Sequence, residues 1–219
     1  MTLPKVVSRE DWFSARMSLF AKEKEHSKVR DVLAAQRREL PMFLVDDKYE
    51  FDTPDGKRRL LDLFDGRRQL IVYHFMRPSD SGDEFCRGCS FWVDNIPAHL
   101  EHLHARDTTL IVDCPVPLAD FLEHKERMGW TVPVTSSFGT GFYETFYFDL
   151  IPGAAPIPGI TVFLRGDDGK AYCTYSTAFR GTDLVNNTYN YLDLTSQGRQ
   201  EAGLPFKWAW LRYHDEYEG

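Results

Sequence analysis

Cysteine is scarce in this 219-residue chain, and only two of the four, Cys86 and Cys89, stand close together. No second pair exists at similar spacing, because Cys114 and Cys173 stand alone. That counts against a structural zinc site, which takes four ligands and whose signature ordinarily supplies two such pairs. Also missing is any apolar run near the ~20 residues of a membrane helix. The start, Met1 to Asp11, lacks the apolar core and small-residue cleavage site of a secretory signal. No lysine or arginine block covers a long face and the net charge is -7, so no nucleic acid and no membrane is expected as partner. Internal repeats and low-complexity tracts are absent too. These absences predict a cytoplasmic protein, in which a disulfide between Cys86 and Cys89 would be transient and catalytic, not structural.

What is present suffices for a core: 42% of residues are hydrophobic and 14% aromatic, so the chain should fold without metal staples. An N-terminal helical extension, 1–41, is expected ahead of one domain, 42–219. Ser8 can cap a helix beginning near Arg9, with Trp12, Ala15, Leu19, Val29, Leu33, Gln36 and Leu40 on an imperfect apolar stripe that Pro41 ends. Its charged middle, Lys22 to His26, has too few apolar residues for deep burial. One long or broken helix is predicted, lying across the domain, gripping a second copy in a homodimer, or simply facing solvent. From Met42 to Phe64, short apolar pairs around Asp46-Asp47 and Asp55-Gly56 carry the chemistry of hairpins.

A core series follows. The pattern predicts a strand at 70–75, a helix near 84–104, a strand at 108–113 and a helix at 118–128 stopped by Gly129. A strand at 160–164, a turn at Asp167-Asp168-Gly169, a strand at 171–176 and a helix near 182–194 complete the set. The order βαβ then ββα is the thioredoxin-like α/β fold. Residues 130–159, with a run of aromatics from Phe142 to Phe148 and three prolines, read as a long insertion. Those aromatics would either cover the dithiol or pack the sheet edge.

Cys86-Arg87-Gly88-Cys89 falls between a buried strand and a helix, the context that makes CxxC a thiol-disulfide motif. Positions i and i+3 share a helix face, so the sulfurs can approach each other. At a helix N-terminus, unpaired N–H groups and the dipole favour the Cys86 thiolate, which attacks a disulfide. Cys89, one turn deeper, would resolve the mixed disulfide. Asp80, Asp83 and Glu84 oppose the thiolate and Arg87 partly offsets them. Two alternatives stay open: two inert core cysteines, or a mixed metal site drawing on His99, His102 or His104. His74 ends the first core strand, either to take a proton from a cysteine or as a hydrogen-bonded core histidine. Arg180 follows the last core strand, to hold an anionic substrate group or a salt bridge. Trp92 reads as packing.

The chain resembles the bacterial uncharacterised thioredoxin-like family known as domain of unknown function 899, nearly end to end. The residues that carry it include Arg37-Arg38-Glu39-Leu40-Pro41, Asp62-Leu63-Phe64-Asp65-Gly66, His74-Phe75-Met76, Cys86 through Ser90, Arg127-Met128-Gly129-Trp130, Gly198-Arg199-Gln200-Glu201 and His214-Asp215-Glu216-Tyr217. The resemblance implies a thioredoxin-like fold and a dithiol-disulfide oxidoreductase role for Cys86 and Cys89, without a settled substrate. The hairpin and the Leu60-Leu61-Asp62-Leu63-Phe64 segment also look like the peroxiredoxin branch, whose Pro-xxx-Thr-xx-Cys pattern is not met: Asp83, not Thr, stands three before Cys86, and Gly82, not Pro, stands seven before Cys89. Thioredoxins place a cis-proline before the strand facing the dithiol; Pro158 is the nearest candidate, with Gly159 at the aligned place. Phe85 replaces the usual tryptophan before the first cysteine, as an apolar rim.

The sequence therefore points to a thiol-disulfide oxidoreductase acting on a disulfide-bearing protein or small thiol, with no cofactor. Cys86 and Cys89 would be catalytic, and Phe85, Arg87, Pro158, Gly159, His74 and Arg180 candidates to meet substrate. The alternatives are a thioredoxin-fold binding or scaffold protein with a non-catalytic dithiol, and a metal-binding CxxC protein.

Overall fold

Ser8 starts the first element. Its hydroxyl accepts from the Asp11 N–H at 3.1 Å, capping the unbroken helix α1 (Arg9–Arg38). Glu10 and Asp11 in the first turn and Arg37 and Arg38 in the last complement the helix dipole. No residue of α1 is buried. The computed structural model describes residues 3–76, 85–146 and 159–218, which separate into two units, Met1–Pro41 and Met42–Gly219. Among the described residues no helix is long and apolar enough to cross a membrane.

The second unit begins with β1 (Phe43–Leu44), the hairpin β2 (Glu50–Thr53) and β3 (Gly56–Arg59), and a 3₁₀ turn at Leu60–Phe64. A βαβ unit follows: β4 (Gln69–His74), α2 (Arg87–Asp94), α3 (Glu101–His104) and β5 (Thr108–Cys114). Next come α4 (Leu118–Arg127), β6 (Val134–Ser136) and α5 (Phe142–Phe146). Then follow β7 (Gly159–Arg165), β8 (Ala171–Ala178), a 3₁₀ turn at Phe179–Val185, α6 (Asn187–Leu192) and a last 3₁₀ turn at His214–Glu216.

Among the described residues the strands form one sheet in the order β1-β8-β7-β4-β5-β6-β2-β3. At its centre β4 runs parallel to β5, while β7 is antiparallel to both β4 and β8. A βαβ unit joined edge to edge with a ββα unit in this order is the thioredoxin fold. The β7–β8 turn closes at Gly169, whose φ of 77° suits a residue without Cβ. Gly129, at φ 61°, likewise ends α4.

Strand alternation splits the core in two. Leu70 and Val72 of β4 face Phe51, Phe64, Phe142 and Phe163 on one side of the sheet. Tyr73 and Phe75 go with Phe85, Cys89, Val112 and Phe121 on the other. Each fully buried Phe contributes roughly 1.5–3 kcal/mol of apolar burial.

Two expectations need correction, and one open alternative is decided. The helix near 84–104 is two pieces, because Pro97 lies in the stretch between α2 and α3 and cannot supply a helical N–H. Asp46-Asp47 does not close a hairpin: β1 pairs with β8, Phe43 opposite Cys173, while β2 pairs with β3 and β6. The described part of the 130–159 insertion extends the sheet through β6. Its aromatics Phe142, Tyr143 and Phe146 are buried, with Phe142 and Phe146 on the side away from Cys89, so they pack the sheet and do not cover the dithiol. Tyr147 and Phe148, with the prolines of that segment, lie outside the described residues.

Candidate active site

Cys86 is the N-cap of α2, with extended backbone (φ -64°, ψ 113°). Its carbonyl accepts from the Ser90 N–H at 2.9 Å, and its sulfur accepts from the Cys89 N–H at 3.3 Å. The sulfur thus takes the place that a serine or aspartate oxygen fills at other helix starts. Cys89 is fully buried, its sulfur accepting from the Met76 N–H at 3.4 Å. No two of the four cysteines are joined in a disulfide.

These surroundings split the two thiols. The Cys89 thiol hydrogen-bonds the Cys86 sulfur and, with the Cys89 and Gly88 N–H groups, outweighs burial to bring Cys86 down to about 7. Burial, then the Cys86 sulfur, pushes Cys89 well up. Burial, followed by the charges of Cys89 and Cys86 and a hydrogen bond with the Cys89 sulfur, raises the Tyr73 hydroxyl well above its ordinary range. The arrangement brings the Cys86 thiol toward neutrality and holds the proton on Cys89 behind it.

A cavity of about 460 Å³ opens beside Cys86, lined by Tyr73, Met76, Trp92, Phe179, Trp208 and Leu211 among others, with Arg87 the one charged wall residue among the described residues. Its far wall comes from the irregular C-terminal tail. That tail is pinned to α2 and α4: the Tyr213 hydroxyl donates to the Phe85 carbonyl, and Arg127 forks onto Asp215 at 2.9 and 3.0 Å. His214 Nδ1 meets Asp94 at 2.9 Å, and Trp210 packs edge-on against Phe91.

The other sequence candidates fall in different places. Arg87 lies over the Tyr213 ring and 3.9 Å from Glu216, at the cavity wall; the groups that lower Cys86 are those of Cys89 and Gly88. Asp80, Asp83, Glu84 and Pro158 lie outside the described residues. Phe85 is not a rim: it is buried and stacks on His124 with ring centroids 4.4 Å apart. Gly159 begins β7, buried opposite His74. His74 itself does not reach the cysteines. As the residue after Tyr73 it points to the opposite face, where its Nε2 lies 2.8 Å from Thr161 Oγ1 and its ring meets Phe142. Burial lowers it to about 3, so it stays neutral. Arg180 pairs with Asp183 at 3.1 Å. Trp92 packs against Tyr189 yet also lines the cavity. Among the described residues no group of three or more His, Cys, Asp or Glu is placed to hold a metal, and His99 faces Glu101.

Sequence reasoning missed the tail residues Trp208 and Leu211 and the left-handed Phe179 (φ 50°). The aromatic density of Phe206-Lys207-Trp208-Ala209-Trp210 was the available signal. It also missed Asp113. This aspartate is fully buried next to His74, accepts from Ser137 Oγ at 2.6 Å and Thr135 Oγ1 at 2.9 Å, and is raised by burial to about 7.

Fold and site together define a thioredoxin-fold protein with a free CxxC pair at a helix entrance. The chain belongs to the family described as bacterial protein of unknown function (DUF899), which matches residues 1–217. No functionally curated protein matches it in sequence. Among solved structures it is similar to the peroxidoxin BcpB of Mycobacterium tuberculosis, at 14% identity and TM-score 0.45, covering 70% of this chain and 97% of that one. It is also similar to a thiol:disulfide interchange protein from a Bacteroides species (14%, TM-score 0.44, 72% and 90% covered). A third is the Xanthomonas campestris bacterioferritin comigratory protein (12%, TM-score 0.46, 69% and 96% covered). Likeness at this level says nothing of reaction or substrate, and the fold stands on the chain's own strand order.

Proposed function

We propose that the protein is a thiol-disulfide oxidoreductase that reduces a disulfide carried by a protein or small thiol compound, with Cys86 as nucleophile and Cys89 as resolving thiol. The reading is carried by the Cys86 sulfur at the helix entrance, receiving hydrogen bonds from the residue that would resolve it and facing an open cavity. The Cys86 thiolate attacks one sulfur of the substrate, forming a mixed disulfide and releasing the other sulfur as a thiolate that takes up a proton. Cys89 gives up its proton and attacks the Cys86 sulfur, releasing the second substrate thiol and leaving a Cys86–Cys89 disulfide. Two electrons pass from the dithiol to the substrate.

Cys89→Ser stops the sequence after the first step. Incubated with a disulfide substrate pool, the variant should carry a covalent adduct on Cys86 that dithiothreitol removes and that Cys86→Ser abolishes, read by intact mass. A folded Cys89→Ser protein that alkylates at Cys86 yet never forms a mixed disulfide overturns the proposal.

A further inference from the structure

We infer that the disulfide reduced at Cys86 belongs to a small molecule with a compact apolar substituent, aromatic or branched, and that this substituent seats in the cavity walled by Trp92, Phe179, Trp208 and Leu211. This deepens the oxidoreductase reading and rests on it.

Three observations carry the assignment. Cys86 belongs to the cavity wall, so a group filling the cavity holds its attached sulfur near the thiol that attacks it. The volume of about 460 Å³ falls inside the roughly 300–1,000 Å³ span of small-molecule sites, and the walls are almost all apolar. A space of that size takes one compact group, whereas a cystine in a folded protein arrives with two backbones. Arg87, the one charged wall residue among the described residues, already meets Tyr213 and Glu216, so the described walls present a mainly apolar surface to the bound group.

The second observation is the tail. Phe206, Trp208 and Leu211 of the tail line the cavity together with Cys86. With the tail pinned through Tyr213, Asp215 and Glu216, Cys86 lies in a concavity. The third is Phe179. A phenylalanine at φ 50° is held against its backbone preference, with its carbonyl accepting from Thr182 Oγ1 at 2.7 Å. Such conformations cluster at ligand clamps, and this one brings Phe179 into the cavity wall.

The chemistry is that of the preceding section: one equivalent of apolar disulfide plus the protein dithiol gives two small thiols and the Cys86–Cys89 disulfide. The test is single-turnover oxidation of the reduced full-length protein by two probes, bis(2-hydroxyethyl) disulfide and benzyl 2-hydroxyethyl disulfide, followed by loss of alkylatable Cys86. The benzyl probe should react at least about tenfold faster, the advantage expected for seating one aromatic ring in an apolar site. Trp208→Ala should bring the ratio of the two rates close to one. Equal rates in the wild-type protein overturn the inference alone, even if Trp208→Ala fails to fold. An unreactive dithiol with both probes overturns the oxidoreductase reading and the inference with it. A ratio that survives in a folded Trp208→Ala and in a folded Phe206→Ala also overturns the inference.

Discussion

Replacing Cys89 by alanine removes the strongest cause of the acidity of Cys86 while leaving the helix entrance intact. In the wild-type protein the Cys89 thiol, the Cys89 N–H and the Gly88 N–H together bring Cys86 from the usual 9.0 to about 7. Two pH units correspond to about 2.7 kcal/mol in favour of the thiolate, and at pH 7 they raise the thiolate fraction from about 1% to about half. A hydrogen bond to a charged acceptor is worth roughly 1.5–3 kcal/mol, so losing the thiol donor should move the midpoint up by about one unit or more. The two N–H donors stay and go on opposing the upward push of burial. The assay is the rate of iodoacetamide modification of Cys86 from pH 5 to 10, with the modified peptide identified by mass. The wild-type midpoint should fall near 7 and that of Cys89→Ala near 8 or above. A more basic thiolate is also the stronger nucleophile, so the plateau rate at high pH should rise in the variant. Coincident midpoints would refute the reasoning and leave the helix entrance alone as the cause.

Asp113→Asn tests the buried carboxyl on the other face. Between about pH 4 and pH 7 the folded chain keeps on Asp113 a proton that the unfolded chain has released, so stability falls at this site as pH rises through that window. A rise from 3.8 to about 7 implies a cost of about 4 kcal/mol above pH 7. His74 and His124, lowered by burial to about 3 and about 4, act in the opposite sense, so the quantity to follow is variant minus wild type in urea melts. It should grow in favour of Asn by several kcal/mol from pH 4 to pH 8; a flat difference contradicts it. Tyr213→Phe leaves the Phe85 carbonyl without its phenol partner and should cost about 1–3 kcal/mol and speed protease cleavage within residues 195–218. An unchanged melt and unchanged cleavage would show that the tail is held by other contacts.

Much of the central architecture was legible because its signals are local. The run Leu70 to Phe75 is apolar enough to mark a buried strand, and Asp167-Asp168-Gly169 marks the β7–β8 turn by chemistry that needs no partner. The CxxC pair showed where a helix should begin, and Cys86 is its cap. Facts that depend on pairing were not legible. β6 is three residues long, and nothing in Val134-Thr135-Ser136 announces that it joins β5 to β2. His74 was placed at the proper end of its strand, but strand parity relative to Tyr73 decides which face it takes, and that parity is fixed only by the packing on each side. The tail has no periodicity, so its role in walling the cavity rests on contacts between residues far apart, such as Tyr213 with Phe85.

The central claim is that Cys86 and Cys89 exchange electrons as a pair. Equilibrating the protein across a series of reduced-to-oxidised glutathione ratios, trapping with an alkylating agent and counting free thiols tests it directly. The account predicts a reversible two-electron transition confined to Cys86 and Cys89, at a potential within about -270 to -120 mV, the span of CxxC oxidoreductases, with Cys114 and Cys173 remaining free. A dithiol that stays reduced at the most oxidising ratio, or that oxidises and cannot be reopened, would contradict it.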